Sequence, residues 1–131
     1  MSHPNQPQAP GATPVETIVE AYVASWNESD PARRRAAIDR AWSDNGRYRD
    51  PLMASDGPAA LDAMLAAVQA KFPGFLLKRS SAIDHHNDAV RFAWSLGPAA
   101  GPPVVEGVDF CLLASDGRLA SVVGFIDRMP G

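Results

Sequence analysis

The chain has 131 residues, enough for one domain with a real core, and its 46% hydrophobic and 21% charged content is ordinary for a globular protein. A net charge of −3 supplies no field for nucleic acid, so no nucleic-acid partner is expected. No apolar run approaches the ~20 residues of a membrane span, the N-terminus lacks the basic-then-apolar layout of a signal peptide, and Cys111 is the only cysteine. The expectation is therefore a cytoplasmic protein with no membrane partner and no internal disulfide. Neither zinc-type Cys/His spacing nor a phosphate-binding glycine pattern occurs, so no metal and no cofactor are expected.

Residues 1–13 are rich in Pro, Gln and Gly and read as a disordered leader that includes His3; residues 14–131 read as one domain. Thr13-Pro14-Val15-Glu16 has the spacing of a capping box with proline at the first helical position. Val15, Ile18, Val19, Tyr22, Val23 and Trp26 then form one apolar helical stripe. Tyr22 and Trp26 are neighbours on that face. Both suit a core, but a buried tyrosine hydroxyl needs a polar partner and can equally donate to a ligand.

Asn27-Glu28-Ser29 ends the first helix and Asp30-Pro31 opens a second, with Ala36, Ala37, Ile38, Ala41 and Trp42 as its buried side. Arg33, Arg34 and Arg35 read as a solvated face, and Ser43-Asp44-Asn45-Gly46 as the stop. Arg47 to Pro51 is a short extended piece in which Tyr48 and Asp50 face the same side. Asp50 suits a turn-capping loop residue as well as a pocket group. Ser55-Asp56-Gly57-Pro58 starts a third helix, whose buried stripe is Leu61, Met64, Leu65, Val68 and Phe72.

The remainder reads as strands. Residues 74–84 are extended, and His85 to Asp88 form a turn. Residues 89–96 alternate, with Val90, Phe92, Trp94 and Leu96 on one face. After a Gly/Pro/Ala loop, residues 104–114 form a strand that carries Asp109 among apolar neighbours. Asp116-Gly117 then turns the chain into residues 118–127. Aspartate is depleted in strands and costly to bury without partners, so Asp109 faces either solvent or a useful pocket. Helices grouped before strands with short turns predict an α+β fold, three helices on one face of an antiparallel sheet, and strong curvature of that sheet around a long helix would leave a conical cavity.

This order of residues resembles the nuclear transport factor 2-like superfamily, and within it the ketosteroid isomerase and SnoaL-like polyketide cyclase group, with a cystatin-like α+β barrel. The carriers are Tyr22-Val23-Ala24-Ser25-Trp26-Asn27-Glu28-Ser29-Asp30, Tyr48-Arg49-Asp50-Pro51, and Val108-Asp109-Phe110 followed by Asp116-Gly117-Arg118-Leu119. The resemblance covers about residues 14–128. It implies that Tyr22 is the first-helix tyrosine, Asp50 the proton-shuttling base of an Asp-Pro pair, and Asp109 the aspartate eight residues before the turn glycine, Gly117. In such isomerases an ionised base takes a proton next to a carbonyl, while the tyrosine and a protonated aspartate donate to the enolate oxygen.

The function implied is a small cofactor-free isomerase or cyclase acting through an enolate on an apolar, ketone-bearing small molecule. Tyr22, Asp50 and Asp109 would be catalytic, and Trp26, Tyr48, His86, Trp94 and Phe125 would line the ligand pocket. In SnoaL-like cyclases a late-strand aspartate is the acid/base with a histidine often nearby, a role open to Asp109 with His86. The alternatives are a non-catalytic hydrophobic-ligand-binding module or a dimerisation module of the same fold. A homodimer through the sheet is expected in any case, because the helices cover only one face. Epoxide hydrolysis, also found in the superfamily, needs an Asp-Arg-Asp set, and Ala93 stands where the Arg91 strand would supply the second aspartate.

Overall fold

The computed structural model describes residues 14–130, so the leader and Thr13 lie outside the described residues. Helix α1 (Val15–Asn27) buries Val15, Ile18, Val19 and Tyr22 along the expected stripe. Pro14 is its N-cap rather than its first helical residue. Helix α2 (Pro31–Ala41) opens as expected, with the Asp30 carboxylate accepting from the Arg33 N–H at 2.9 Å.

Helix α2 ends at Ala41, and Trp42 begins strand β1 (Trp42–Arg49) instead of closing the helix. The expected stop, Ser43 to Gly46, is an irregular stretch inside that strand, where the register shifts between Trp42 and Arg47. Gly46 belongs there because a Cβ would collide with the Trp42 ring. Ser55 and Asp56, expected to open the third helix, form the short strand β2 (Ala54–Asp56); helix α3 (Pro58–Lys71) follows, capped by Gly57 at φ 85°. The single extended run 74–84 divides into β3 (Phe75–Arg79) and β4 (Asp84–His86), both paired with β5 (Ala89–Pro98). The turn narrows to Asn87-Asp88, with Asn87 at φ 51°. Strands β6 (Val105–Leu113) and β7 (Leu119–Arg128) complete the chain.

The sheet runs β2-β1-β7-β6-β5-β3, with β4 also on β5. All pairs are antiparallel except β1 with β7, which is parallel, so the sheet is mixed where an antiparallel one was expected. The first strand reaches the last through the whole intervening chain, so a tight turn does not dictate its direction. Three helices pack on the concave face of this strongly curled sheet. The main core joins Tyr22, Ile38, Leu61, Phe92 and Val122 among others. A second cluster of Leu77, Trp94 and Val105 lies beyond Val23 and Trp26, which touch both.

Polar staples fix the helices. Asn27 exchanges two hydrogen bonds with the Leu77 backbone, at 2.9 and 2.8 Å. The Gln69 amide donates to the carbonyls of Trp26 and Glu28 at the C-terminal end of α1. Arg34 departs from the solvated face expected for Arg33 to Arg35. It is 5% exposed, pairs with Asp62 of α3 at 2.7 Å and donates to the Glu28 carbonyl. Arg33 and Arg35 form exposed ion pairs. Removing Arg34 leaves Asp62 and a helix-end carbonyl short of a donor. Arg34→Ala should therefore cost about 2–4 kcal/mol in urea unfolding, whereas Arg33→Ala and Arg35→Ala should stay within about 0.5 kcal/mol.

Candidate active site

Strand β6 turns Val105, Gly107, Asp109 and Cys111 to the concave face by simple alternation. Asp109 lies between Phe92 of β5 and Gly124 of β7 and is 2% exposed. A buried carboxylate requires donors, and two side chains supply them. The Tyr22 hydroxyl donates to Oδ2 at 2.7 Å, and the Trp94 indole Nε1–H donates to Oδ1 at 3.0 Å. Trp94 reaches it by lying over Gly107, where a Cβ would run into the indole ring. Burial pushes the Asp109 carboxyl up to about 6; the two donor bonds oppose that rise, and the Asp50 charge adds to it.

Asp50 follows the last residue of β1. Its Oδ1 accepts from the backbone N–H groups of Leu52 and Met53 at 2.7 and 2.8 Å, an Asx-type turn, which is the turn-capping role expected of a loop aspartate. Its Oδ2 accepts from the Tyr48 hydroxyl, at 2.7 Å. Tyr48 is buried, edge-on to Trp26, and its phenol is held far above its ordinary range by burial and by the nearby Asp109 and Asp50. It is therefore a proton donor at every working pH. Gly124 is the meeting point of these groups. A Cβ there would stand 2.9 Å from Asp109 Oδ1, 3.3 Å from Asp50 Cβ and 3.3 Å from the Tyr48 hydroxyl.

These groups open on a cavity of about 390 Å³. Asp50, Asp109, Tyr48, Trp26 and Trp94 all line it, and its walls are otherwise apolar, with Phe72, Leu77 and Val105 prominent. Its size and lining are those of a small-molecule site. Leu52 and Met129, both exposed, stand at its mouth with Lys71. Val68 and Phe72, read from sequence as core, are also walls. Their helical spacing is the same in either role, and only the depth of the sheet's curl separates the two. Among the described residues, no group of three or more His, Cys, Asp or Glu side chains is placed to hold a metal ion.

Three expected site residues stand elsewhere. Tyr22 is fully buried behind Asp109, outside the lining, with its hydroxyl proton committed to that carboxylate. His86 faces outward, because pairing of β4 with β5 turns His85 inward and His86 to the exposed side beside Asp84 and Arg91. It cannot assist Asp109. Phe125 neighbours Gly124 in β7 and so points to the opposite face, 55% exposed. Cys111 lies in the core, and burial pushes its thiol up, so it is no nucleophile. Arg91 forms an exposed ion pair with Asp84.

The geometry sets the sign of the pH response. The folded Asp109 value of about 6 lies above the ~3.9 of an unfolded aspartate. Its contribution to stability is thus complete below about pH 4 and is lost as pH rises through about 6. Between these limits the wild type should lose about 3 kcal/mol relative to Asp109→Asn in denaturant titrations. Carbon-detected NMR should place the titration near 6, and Tyr22→Phe and Trp94→Phe should each raise it, since each removes a donor to the charged form. A wild-type titration near 4 would refute this account.

Residues 19–122 match the family profile described as the SnoaL-like domain. A candidate isomerase of the SnoaL-like family from Agrobacterium tumefaciens is 41% identical, with a TM-score of 0.80 over 86% of this chain and 96% of that one. A candidate ketosteroid isomerase from Kribbella flavida shares the fold at 16% identity, with a TM-score of 0.64 over 89% of this chain and 80% of that one. A candidate polyketide cyclase from Sinorhizobium meliloti does so at 15% identity, with a TM-score of 0.64 over 82% and 92%. No curated protein matches the chain. The profile match and the 41% identical relative establish that this chain belongs to the SnoaL-like family of the nuclear transport factor 2-like superfamily.

Proposed function

We propose that this protein is an isomerase or cyclase that works through an enolate on an apolar, ketone-bearing small molecule. The observation that carries the reading is one apolar cavity holding two carboxylates in unlike settings, with Asp109 buried and poised near 6. Such divergence is how a site assigns acid and base roles. Asp50 Oδ2 is the base: it takes the proton from the carbon beside the carbonyl, and the bond electrons become the enolate. Asp109 in its protonated form serves the oxygen. Return of the proton to a different carbon isomerises the ligand; attack of the enolate carbon on a second carbonyl of the same molecule closes a ring. The 41% identical relative, described as a candidate isomerase, supports this class of reaction. Tyr22 and Trp94 act through Asp109 as positioning residues.

The ligand is held mainly by apolar contact, with the carbonyl directed to the polar end over Gly124. The working assembly in this reading is a homodimer through the convex face of the sheet. Phe110, Leu112 and Phe125 are exposed on β6 and β7 there, with no helix over them among the described residues.

Asp50→Asn should lower turnover of β,γ-unsaturated ketones by about 10²-fold or more while ligand binding, followed by tryptophan fluorescence, persists. Wild-type kcat/KM should decline as pH rises through about 6, and Asp109→Asn should lack that limb. Undiminished turnover in Asp50→Asn would exclude the assignment. Sedimentation should show a dimer at micromolar concentration that Phe110→Glu with Phe125→Glu converts to monomer; a wild-type monomer would exclude the sheet-to-sheet assembly.

A further inference from the structure

We infer that Tyr48, not Tyr22, is the tyrosine that touches the reacting molecule, as the hydrogen-bond donor to the enolate oxygen. This rests on the enolate reading above. Family resemblance gives the donor role to the first-helix tyrosine, and three observations move it. Tyr22 is sealed behind Asp109 and its proton is committed to Oδ2. The Tyr48 side chain lines the cavity, and its hydroxyl lies beside Gly124, at the point where Asp109 Oδ1 and Asp50 also converge. Its partner is Asp50 Oδ2, the oxygen free of the backbone bonds that occupy Oδ1.

The last point supplies the mechanism. At rest the Tyr48 proton is held by Asp50 at 2.7 Å. When Asp50 Oδ2 accepts the carbon-bound proton, the carboxylate becomes a carboxylic acid and a much poorer acceptor. The charge it carried now sits on the enolate oxygen, two bonds from the carbon that lost the proton. Two adjacent protein oxygens match that spacing, one over the carbon and one over the carbonyl oxygen. The phenol hydrogen turns from Asp50 to the enolate, and turns back when Asp50 returns the proton to carbon. No proton leaves Tyr48, no group is oxidised, and the hydrogen bond follows the negative charge. Such a donor is worth most because it is already in place when charge develops. Its ring is fixed edge-on to Trp26 at 5.6 Å between centroids, so the hydroxyl has little freedom beyond this rotation.

The test needs no natural substrate. Wild type, Tyr48→Phe and Asp50→Asn are compared in the exchange of the α-protons of 2-tetralone and related ketones in D2O, followed by NMR. Affinities for 2-tetralone and for its enol mimic 2-naphthol are measured by fluorescence. Tyr48→Phe should lower kcat for exchange by about 10²-fold with KM little changed. It should weaken 2-naphthol binding while leaving 2-tetralone binding intact. Tyr22→Phe should instead move the pH at which exchange declines, because it acts through Asp109. Exchange by Tyr48→Phe within about twofold of wild type overturns the assignment, as does an equal loss of affinity for ketone and naphthol, which marks a structural role. If Tyr48→Phe retains exchange and Asp50→Asn loses it, only this inference fails. If Asp50→Asn also retains it, or the wild type exchanges no ketone faster than buffer, the enolate reading fails with it.

Discussion

A carboxylate on the concave face of a curled sheet has to be given donors, and the bonds Tyr22–Asp109–Trp94 meet that demand here. They join the first helix to the centre of the sheet across 87 residues of sequence and link the main core, which holds Tyr22, to the second cluster, which holds Trp94. Much of the architecture serves this one group. Tyr22 touches Trp42 and Phe92 edge-on, which aims its hydroxyl at β6. Gly107 makes room for the Trp94 ring, and Gly124 for the carboxylate itself. An alanine at either glycine would displace Asp109 or one of its donors. The same burial that makes the charged group expensive pushes its carboxyl up to about 6.

The two aromatic residues of α1 show how scaffold and site are separated. Tyr22 and Trp26 are four residues apart and edge-on at 6.4 Å, yet the first belongs wholly to the core and the second faces the cavity. One helical turn is enough to cross from packing to pocket because α1 runs along the sheet while the sheet curls away from it. The staples at its C-terminus, from Asn27 to β3 and from Gln69 of α3, hold the helix end where that divergence begins.

The helices and the alternation of β5 and β6 were legible from the sequence because they rest on local rules: periodicity, proline and aspartate at α2, glycine at the turn. Alternation left Asp109 open between solvent and a pocket, and the family resemblance alone implied the pocket. What escaped was set by pairing between distant segments. Trp42 looks helical by spacing but starts a strand, because β7 stands alongside to pair with it. The run 74–84 breaks into β3 and β4 because both pair with the one strand β5. His86, expected in a turn, is turned to the exposed side by the pairing of β4 with β5, and Phe125 stands on the outer face because it neighbours Gly124. Arg34 sits in a run of three arginines, and only the approach of α3 singles it out. The tyrosine at position 22 was identified correctly as a residue with a polar partner, but resemblance names positions and says nothing about where a hydroxyl proton is spent.

The mouth of the cavity and the Asp50 carboxylate form one unit. Asp50 Oδ1 accepts from Leu52 and Met53, and the Asp50 N–H donates to the Met53 carbonyl at 2.9 Å, so the side chains at the rim are carried on a turn closed by that aspartate. A ligand too large for the rim must open this turn, and opening it releases the carboxylate from the bonds that leave Oδ2 aimed at the cavity. Selection by size and alignment of Asp50 therefore draw on the same three hydrogen bonds. In the enolate reaction proposed above, a substrate with a bulky group beside its carbonyl is penalised in the alignment of Asp50 as well as in binding, because the geometry needed for proton transfer tolerates far less displacement than an apolar contact does.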